Sequence, residues 1–214
     1  DPILELARQY NLRVIEDAAQ AHLAEYAGRP VGAIGDVGVF SFQTTKNMSA
    51  GEGGIILSNS DALLERAFSY QNCGRVRQGG WYEHRVLGSN CRMTAFQAAV
   101  LLGQLETIHS DARRRTENAR RLTEGLRQIE GIRPLSTAQW VTSHAYHLYI
   151  FRYEPRAFAG LPRERFIEAL NAEGIPARPG YSPLYRQELF VVDPAEYPWL
   201  ADRDYRALHL PVCE

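Results

Sequence analysis

The chain has 214 residues, 45% of them apolar, with 24 basic against 25 acidic side chains and a formal net charge of −1. That length can bury a substantial core in one large domain or two small ones, and the near-neutral balance offers no electrostatic case for nucleic acid or an anionic membrane surface. No apolar run approaches the ~20 residues of a membrane span, no basic-then-apolar signal opens the sequence, and the odd set Cys73, Cys91 and Cys213 reads as reduced thiols in a cytoplasmic protein.

Asp1 is an N-cap candidate and Pro2 a first-turn residue for a helix ending near Asn11. Leu12 to Asp17 reads as a buried strand whose C-terminal end carries two carboxylates, Glu16 and Asp17. Positions 26–32 form a turn, and Asp36 to Phe42 a second buried strand. Gly51-Glu52-Gly53-Gly54 is a turn whose glycines permit positive φ, so Ile55 to Ser58 is predicted to form a hairpin with the strand before it.

Asp61 to Tyr70 reads as a capped helix, followed by a loop with Gly74, Gly79 and Gly80 that ends in Gly88-Ser89-Asn90. From Arg92 to about Ile129 the pattern is helical, with a break or kink near Ser110. Ala95, Ala98, Leu102 and Leu105 line one predicted apolar face, and Ala119, Leu122, Leu126 and Ile129 another. The arginines at 113, 114, 115, 120 and 121 read as a solvated face. Gly131 to Gln139 is a loop, His147 to Tyr153 a β-prone strand, and Arg163 to Glu173 a helix stopped by Gly174. A domain boundary within the long helical stretch divides the chain into 1–110 and 111–214, the second part being a small α/β layer.

Lys46 is the only lysine, against twenty-three arginines. A primary amine can lose its proton near neutral pH and condense with an aldehyde, which guanidinium cannot. Asp17 ends a strand predicted to be buried, where a carboxylate is costly unless it meets a cation. A protonated pyridine nitrogen is such a cation. Ser41, after the second strand, offers a hydroxyl to a phosphate. Amine, carboxylate and phosphate donor are what pyridoxal 5′-phosphate asks of a protein. His144 and His147 lack partners at metal-ligand spacing, so no metal site is expected, and His22 reads as structural or supporting.

The surrounding words extend this. Val14-Ile15-Glu16-Asp17-Ala18-Ala19-Gln20-Ala21-His22, Gly35-Asp36-Val37-Gly38-Val39-Phe40-Ser41-Phe42, Thr45-Lys46-Asn47 and Gly51-Glu52-Gly53-Gly54 closely resemble the DegT/StrS-type sugar aminotransferases. Gly88-Ser89-Asn90-Cys91-Arg92-Met93-Thr94 and Gly174-Ile175-Pro176 resemble later motifs of that family, with Cys91 at a place usually held by tyrosine.

The resemblance implies an α/β fold: the C-terminal part of a fold-type-I pyridoxal-phosphate-dependent transferase, with a mixed-sheet portion of the large domain and a small α/β domain. It implies Lys46 as the Schiff-base and proton-shuttling lysine, and Asp17 as partner of the pyridine nitrogen. Gln20 would lie near the ring hydroxyl and Ser41 at the phosphate, while Asn90 would reach the phosphate in a neighbouring subunit of a homodimer. Tyr181 and Tyr185 fall where relatives meet substrate.

The implied reaction moves an amino group from glutamate or glutamine to a keto sugar nucleotide or keto cyclitol, with the Pro179-to-Tyr185 stretch leaning towards the antibiotic-type keto-sugar and cyclitol branch. A non-catalytic dimerising or regulatory member of the same fold is the alternative. Family members resemble this chain only from the middle of their large domain onward, so the 214-residue polypeptide by itself is expected to hold the cofactor weakly or not at all.

Overall fold

The computed structural model describes residues 1–191, 193, 195–200 and 204–212; Cys213 lies outside them. They form two compact units, Asp1–Arg152 and Tyr153–Glu214, so residues 111–152 belong with the first.

The first unit opens with α1 (Pro2–Gln9), whose N-terminus is closed by the Asp1 carboxylate accepting from the Ile3 N–H at 3.1 Å. It leads to β1 (Ile15–Asp17), the short turn-rich stretch 18–24, and a two-residue hairpin of β2 (Glu25–Tyr26) and β3 (Arg29–Pro30). The hairpin turn is Ala27-Gly28, at φ 49° and 74°. Positive φ at both turn positions matches the right-handed twist of the strands.

β4 (Val37–Ser41) runs parallel to β1, with Asp17 opposite Val39, and antiparallel to β5 (Gly54–Leu57), with Ser41 opposite Gly54. The predicted hairpin is therefore present. The predicted burial of β1 is not: Ile15 is 68% exposed and Asp17 is exposed. β1 is an edge strand of the order β1-β4-β5, and among the described residues no strand pairs with its outer side.

Two features hold this layer. Glu16 accepts three backbone N–H groups, from Gly32 at 2.7 Å and from Ile34 and Gly35 at 2.6 Å each, tying the 32–35 loop to β1. Gly38 faces Gly32 so closely that a Cβ at 38 would overlap the Gly32 carbonyl. The close approach permits only glycine there.

The helical region divides into α2 (Asp61–Gln71), α3 (Ala95–Leu105) and α4 (Ile108–Leu126). α2 is capped by the Ser60 hydroxyl, and α3 by a reciprocal Thr94–Gln97 capping box. The break falls at Glu106-Thr107 rather than near Ser110. Ser110 is accommodated inside α4 because its hydroxyl donates to the Thr107 carbonyl at 2.7 Å.

The expected apolar face of α3 is rotated. Leu101 is the buried residue, while Leu102 and Leu105 are 65% and 50% exposed. Of the second expected face, Ala119 is buried and Leu122 and Ile129 are half-exposed. The core these helices serve is Phe42, Met48, Leu101 and Ile108, with Leu23, Ala50 and Met93 against it.

Two short strands arise where a loop was expected or no element was read: β6 (Ile132–Pro134) and β7 (Val141–Ser143). β7 adds to β2 in the order β3-β2-β7, with Glu25 opposite Ser143. The Ser143 hydroxyl donates to the Leu23 carbonyl at 2.9 Å, and the Ala27 N–H to the Trp140 carbonyl at 2.6 Å. β6 pairs with β8 (Phe151–Tyr153), which runs across the unit boundary. His147 falls before β8, not within it.

In the second unit the regular structure among the described residues is the end of β8, α5 (Arg163–Ala172) and several 3₁₀ turns. Gly174 at φ 79° ends the helix as expected. Its apolar cluster is aromatic, with Tyr153 stacked on Phe166 at 4.4 Å and Phe158 beside both.

Candidate active site

The parallel pair β1–β4 brings two predicted site residues to one edge. Asp17 ends β1 and Ser41 ends β4, so both lie at the carboxyl ends of adjacent parallel strands. In α/β sheets that edge is where ligands bind. The Asp17 carboxylate is exposed, and one oxygen accepts from the Ala19 N–H at 3.1 Å. Contrary to the expectation from sequence, burial does not make this carboxylate costly: exposure relieves the charge, and the acid stands open to a cation.

Lys46 follows Ser41 on a tightly bonded loop. Its backbone N–H donates to the Gln43 carbonyl at 2.9 Å, and the Gln43 N–H to the Ser41 hydroxyl at 3.2 Å. The Gln43 side chain accepts from both the N–H and the hydroxyl of Thr45 at 2.8 Å. Gln104 of α3 then clamps Ser49 from both sides, accepting from its N–H at 2.9 Å and donating to its carbonyl at 2.6 Å. Phe42 and Met48, four residues before and two after the lysine, are both 6% exposed and anchor the loop in the core. Lys46 is half-buried and makes no ion pair among the described residues.

Against the end of β4 that leads to the lysine packs a histidine that the sequence marked only as structural or supporting. His22 is 7% exposed, packed against the rings of Phe40 and Phe42 at 5.3 and 6.0 Å. Neither ring nitrogen closes a hydrogen bond among the described residues. Burial first, then the charges of His147, Lys46 and Arg115, hold it below its ordinary value of 6.5, while the Ser41 backbone carbonyl pulls the other way. His147 is also lowered, by burial and then by Lys46 and Arg115, and its Nδ1 has no partner. Sequence spacing could not reveal this group, because it is assembled by the β2–β7 pairing and by the Asn47 side chain, which donates to the Ala145 carbonyl at 2.7 Å.

Gln20 is exposed and its side chain makes no hydrogen bond among the described residues. Asn90 is exposed too, on a loop held by a bridge to Asn72 and by the Cys91 N–H donating to the Gln71 carbonyl at 2.9 Å. Cys91 is an exposed free thiol and Cys73 a partly buried one. Tyr181 and Tyr185 lie in the second unit. Tyr181 is 86% exposed, and the Tyr185 hydroxyl accepts from the Leu210 N–H at 3.3 Å.

Among the described residues no group of three His, Cys, Asp or Glu side chains is placed to hold a metal, and no helix is long and apolar enough to cross a membrane. The donor set instead suits pyridoxal 5′-phosphate. An open carboxylate and, among the described residues, a half-buried amine without a counter-ion and a hydroxyl whose proton has no acceptor are the three groups that cofactor requires.

Solved structures with this fold include 3-amino-5-hydroxybenzoic acid synthase (TM-score 0.78, 30% identity, covering 88% of this chain and 49% of that one). Another is DesV of S. venezuelae in complex with a ketimine intermediate (TM-score 0.78, 34% identity, 88% and 48%). They place the fold among the fold-type-I pyridoxal-phosphate-dependent aminotransferases. The profile of the DegT/DnrJ/EryC1/StrS aminotransferase family matches residues 1–214, and the chain belongs to that family.

Among its curated relatives, a Streptoalloteichus tenebrarius protein provisionally assigned as L-glutamine:3-amino-2,3-dideoxy-scyllo-inosose aminotransferase is 41% identical over all of this chain and 54% of its own length. The L-glutamine:2-deoxy-scyllo-inosose aminotransferase of the same organism is 37% identical, over 100% and 54%. The L-glutamine:scyllo-inosose aminotransferase of Streptomyces griseus is 40% identical over 81% of this chain and 43% of its own length. The chain thus spans about half the length of the curated relatives it matches.

Proposed function

We propose that the full-length protein is a pyridoxal-phosphate-dependent aminotransferase that moves the amino group of L-glutamine to the carbonyl carbon of a keto-cyclitol. The observation that carries this reading is the convergence of Asp17 and Ser41 at one edge of the β1–β4 pair, with Lys46 on the braced loop that follows. The relatives' names supply the donor and the inosose-type acceptor.

When bound, pyridoxal phosphate supplies an aldehyde carbon through which nitrogen is exchanged and a protonated ring that draws electrons from the carbon losing its proton. Asp17 is the anion that keeps the ring nitrogen protonated. Lys46 is the nucleophilic amine and moves the proton at the reacting carbon in each half-reaction. The Ser41 hydroxyl donates to the phosphate, since its oxygen already accepts from the Gln43 N–H and its proton has no acceptor among the described residues. Gln20 and, from a second copy of the chain, Asn90 complete the holding set. The working unit is a homodimer in the cytoplasm, where free thiols such as Cys73 and Cys91 persist.

The test is amination of keto-cyclitols and of nucleotide-linked keto sugars by the full-length protein with L-glutamine as donor. Turnover of an inosose with glutamine, lost in Lys46→Ala, supports the reading. Turnover retained by Lys46→Ala refutes it.

A further inference from the structure

The segment between α2 and α3 is a hairpin with an aromatic tip. Its base is the bridge of Asn72 to Asn90, flanked by the Cys73 N–H donating to the Ser89 carbonyl at 3.0 Å and the Cys91 N–H to the Gln71 carbonyl at 2.9 Å. Further out a second bridge joins Arg75 to His84, and the Arg85 N–H donates to the Gly74 carbonyl at 2.8 Å. The two sides run so close that a Cβ on Gly74, at φ 83°, would overlap the Val86 carbonyl. At the turn the Glu83 carboxylate accepts from the Gly80 N–H at 2.9 Å and pairs with Arg85 at 2.6 Å. The hairpin is braced from base to tip.

Trp81 and Tyr82 stand out from this frame, 92% and 69% exposed, with ring centroids 5.6 Å apart. Tyr82 is also held by the His84 ring at 4.9 Å, edge to face, and by the Arg75 guanidinium at 5.6 Å. The His84 Nδ1 meets the Cys73 carbonyl at 2.7 Å. A carbonyl only accepts, so Nδ1 carries the proton and Nε2 of the neutral ring is an acceptor. The cations nearby are already engaged: Arg77 pairs with Glu65 at 2.8 Å, Arg85 pairs with Glu83, and Arg75 lies over Tyr82 with its Nε shut from solvent. A rigid loop that holds two uncharged rings and an acceptor in the open suits a neutral ligand with apolar faces and a hydroxylated rim.

We propose that this tip is the platform for the keto-cyclitol in the site of the second copy, with the Trp81 ring against the C–H face of the cyclitol and His84 Nε2 accepting from a rim hydroxyl. The inference rests on the proposed function, which has Asn90, at the base of the same hairpin, serving that site. A ring of scyllo configuration holds its hydroxyls equatorially and leaves axial C–H bonds on both faces. The negative face of an indole attracts such hydrogens. A nucleotide-linked sugar would instead call for a cation at its diphosphate, and the arginines of this hairpin are taken. Glutamine has no comparable face, so Trp81 serves the acceptor half-reaction alone.

The experiment uses the full-length protein as wild type, Trp81→Ala, Trp81→Phe and, as control, Leu87→Ala, a side chain 95% exposed on the same hairpin. Steady-state kinetics give KM for the keto-cyclitol. The absorbance of the bound cofactor on adding L-glutamine alone follows the donor half-reaction. Indole fluorescence reports keto-cyclitol binding to Lys46→Ala with and without Trp81→Phe. The acceptor KM is expected to rise about 10-fold in Trp81→Ala, to recover in Trp81→Phe and to stay within about twofold in Leu87→Ala. The donor half-reaction is unaltered, and Trp81→Phe abolishes the fluorescence response. Mixed dimers of Trp81→Ala with an excess of Lys46→Ala locate the residue. There each intact lysine is served by an unaltered Trp81 from the other copy, and the acceptor KM returns to the wild-type value.

An unchanged acceptor KM in Trp81→Ala, with borohydride still fixing the cofactor on Lys46, overturns this inference alone. So does a raised KM that persists in the mixed dimers, which puts Trp81 in its own copy's site. Dissociation of Trp81→Ala into monomers also overturns it, making the tip a packing surface between copies. Absence of any cofactor label on Lys46 in the wild type removes the underlying reading as well.

Discussion

The side-chain amide of Asn47 donates to the backbone carbonyl of Ala145 at 2.7 Å, joining the residue next to the lysine to a segment 98 positions away. Ala145 is 7% exposed, so its carbonyl is costly to leave unpaired. Asn47→Ala is expected to lower stability by about 1–2 kcal/mol and to reduce kcat more than KM, because the lysine loses its tie to the His147 segment. Urea denaturation and steady-state kinetics check this, and a variant indistinguishable from wild type in both would count against the tie.

Glu16 is the other local anchor. Its carboxylate accepts three backbone N–H groups from the 32–35 loop. A glutamine there turns one acceptor into a donor aimed at donors. Glu16→Gln should cost about 1–3 kcal/mol despite being nearly isosteric, whereas Asp17→Asn, one residue on and exposed, should leave the urea midpoint almost unmoved while abolishing turnover. Equal stability losses in the two variants would contradict the division of labour between these neighbouring acids.

That division shows how far the sequence could be read. Local signals were legible: the Asp1 cap, the β4–β5 hairpin across its glycine turn and the α5 stop at Gly174. What failed depended on contacts between distant segments. Val141-Thr142-Ser143 is too short to announce a strand, yet its pairing with β2 carries His147 towards His22. Leu102 and Leu105 fit a helical stripe, but the stripe that packs runs through Leu101, because the clamp on Ser49 orients α3 through Gln104. β1 appeared buried because Leu12, Val14 and Ile15 lead into it, yet it is an edge strand and Ile15 is exposed.

The lowered histidines set a pH dependence. His22 is held below its ordinary 6.5 first by burial and then by basic neighbours, and His144 and His147 are lowered too. As pH falls through 6.5 the unfolded chain takes up protons that the folded chain refuses. Stability is therefore complete above that value and declines below it, down to the depressed folded values. Urea midpoints at about pH 7.5 and about pH 5.5 should differ in that direction, and His22→Phe, which keeps an aromatic ring against Phe40 and Phe42, should shrink the difference. A wild-type midpoint that rises on acidification would be inconsistent with this sign.

Asn90 is exposed on its loop, and the proposed homodimer has it serve the site of the second copy. Lys46→Ala and Asn90→Ala should each be nearly inactive. Mixing them after subunit exchange should restore roughly a quarter of wild-type activity, since half the dimers are mixed and each of those has one intact site. No recovery after verified exchange would place Asn90 in its own subunit's site or in none.

The most direct measurement is borohydride reduction of the cofactor-treated full-length protein followed by peptide mass mapping. A single phosphopyridoxyl group on Lys46 is predicted, absent in Lys46→Ala and weakened in Asp17→Asn. Label confined to the terminal amine, or none on the Lys46 peptide under conditions that label a known aminotransferase, would contradict the assignment of Lys46 as the nucleophile.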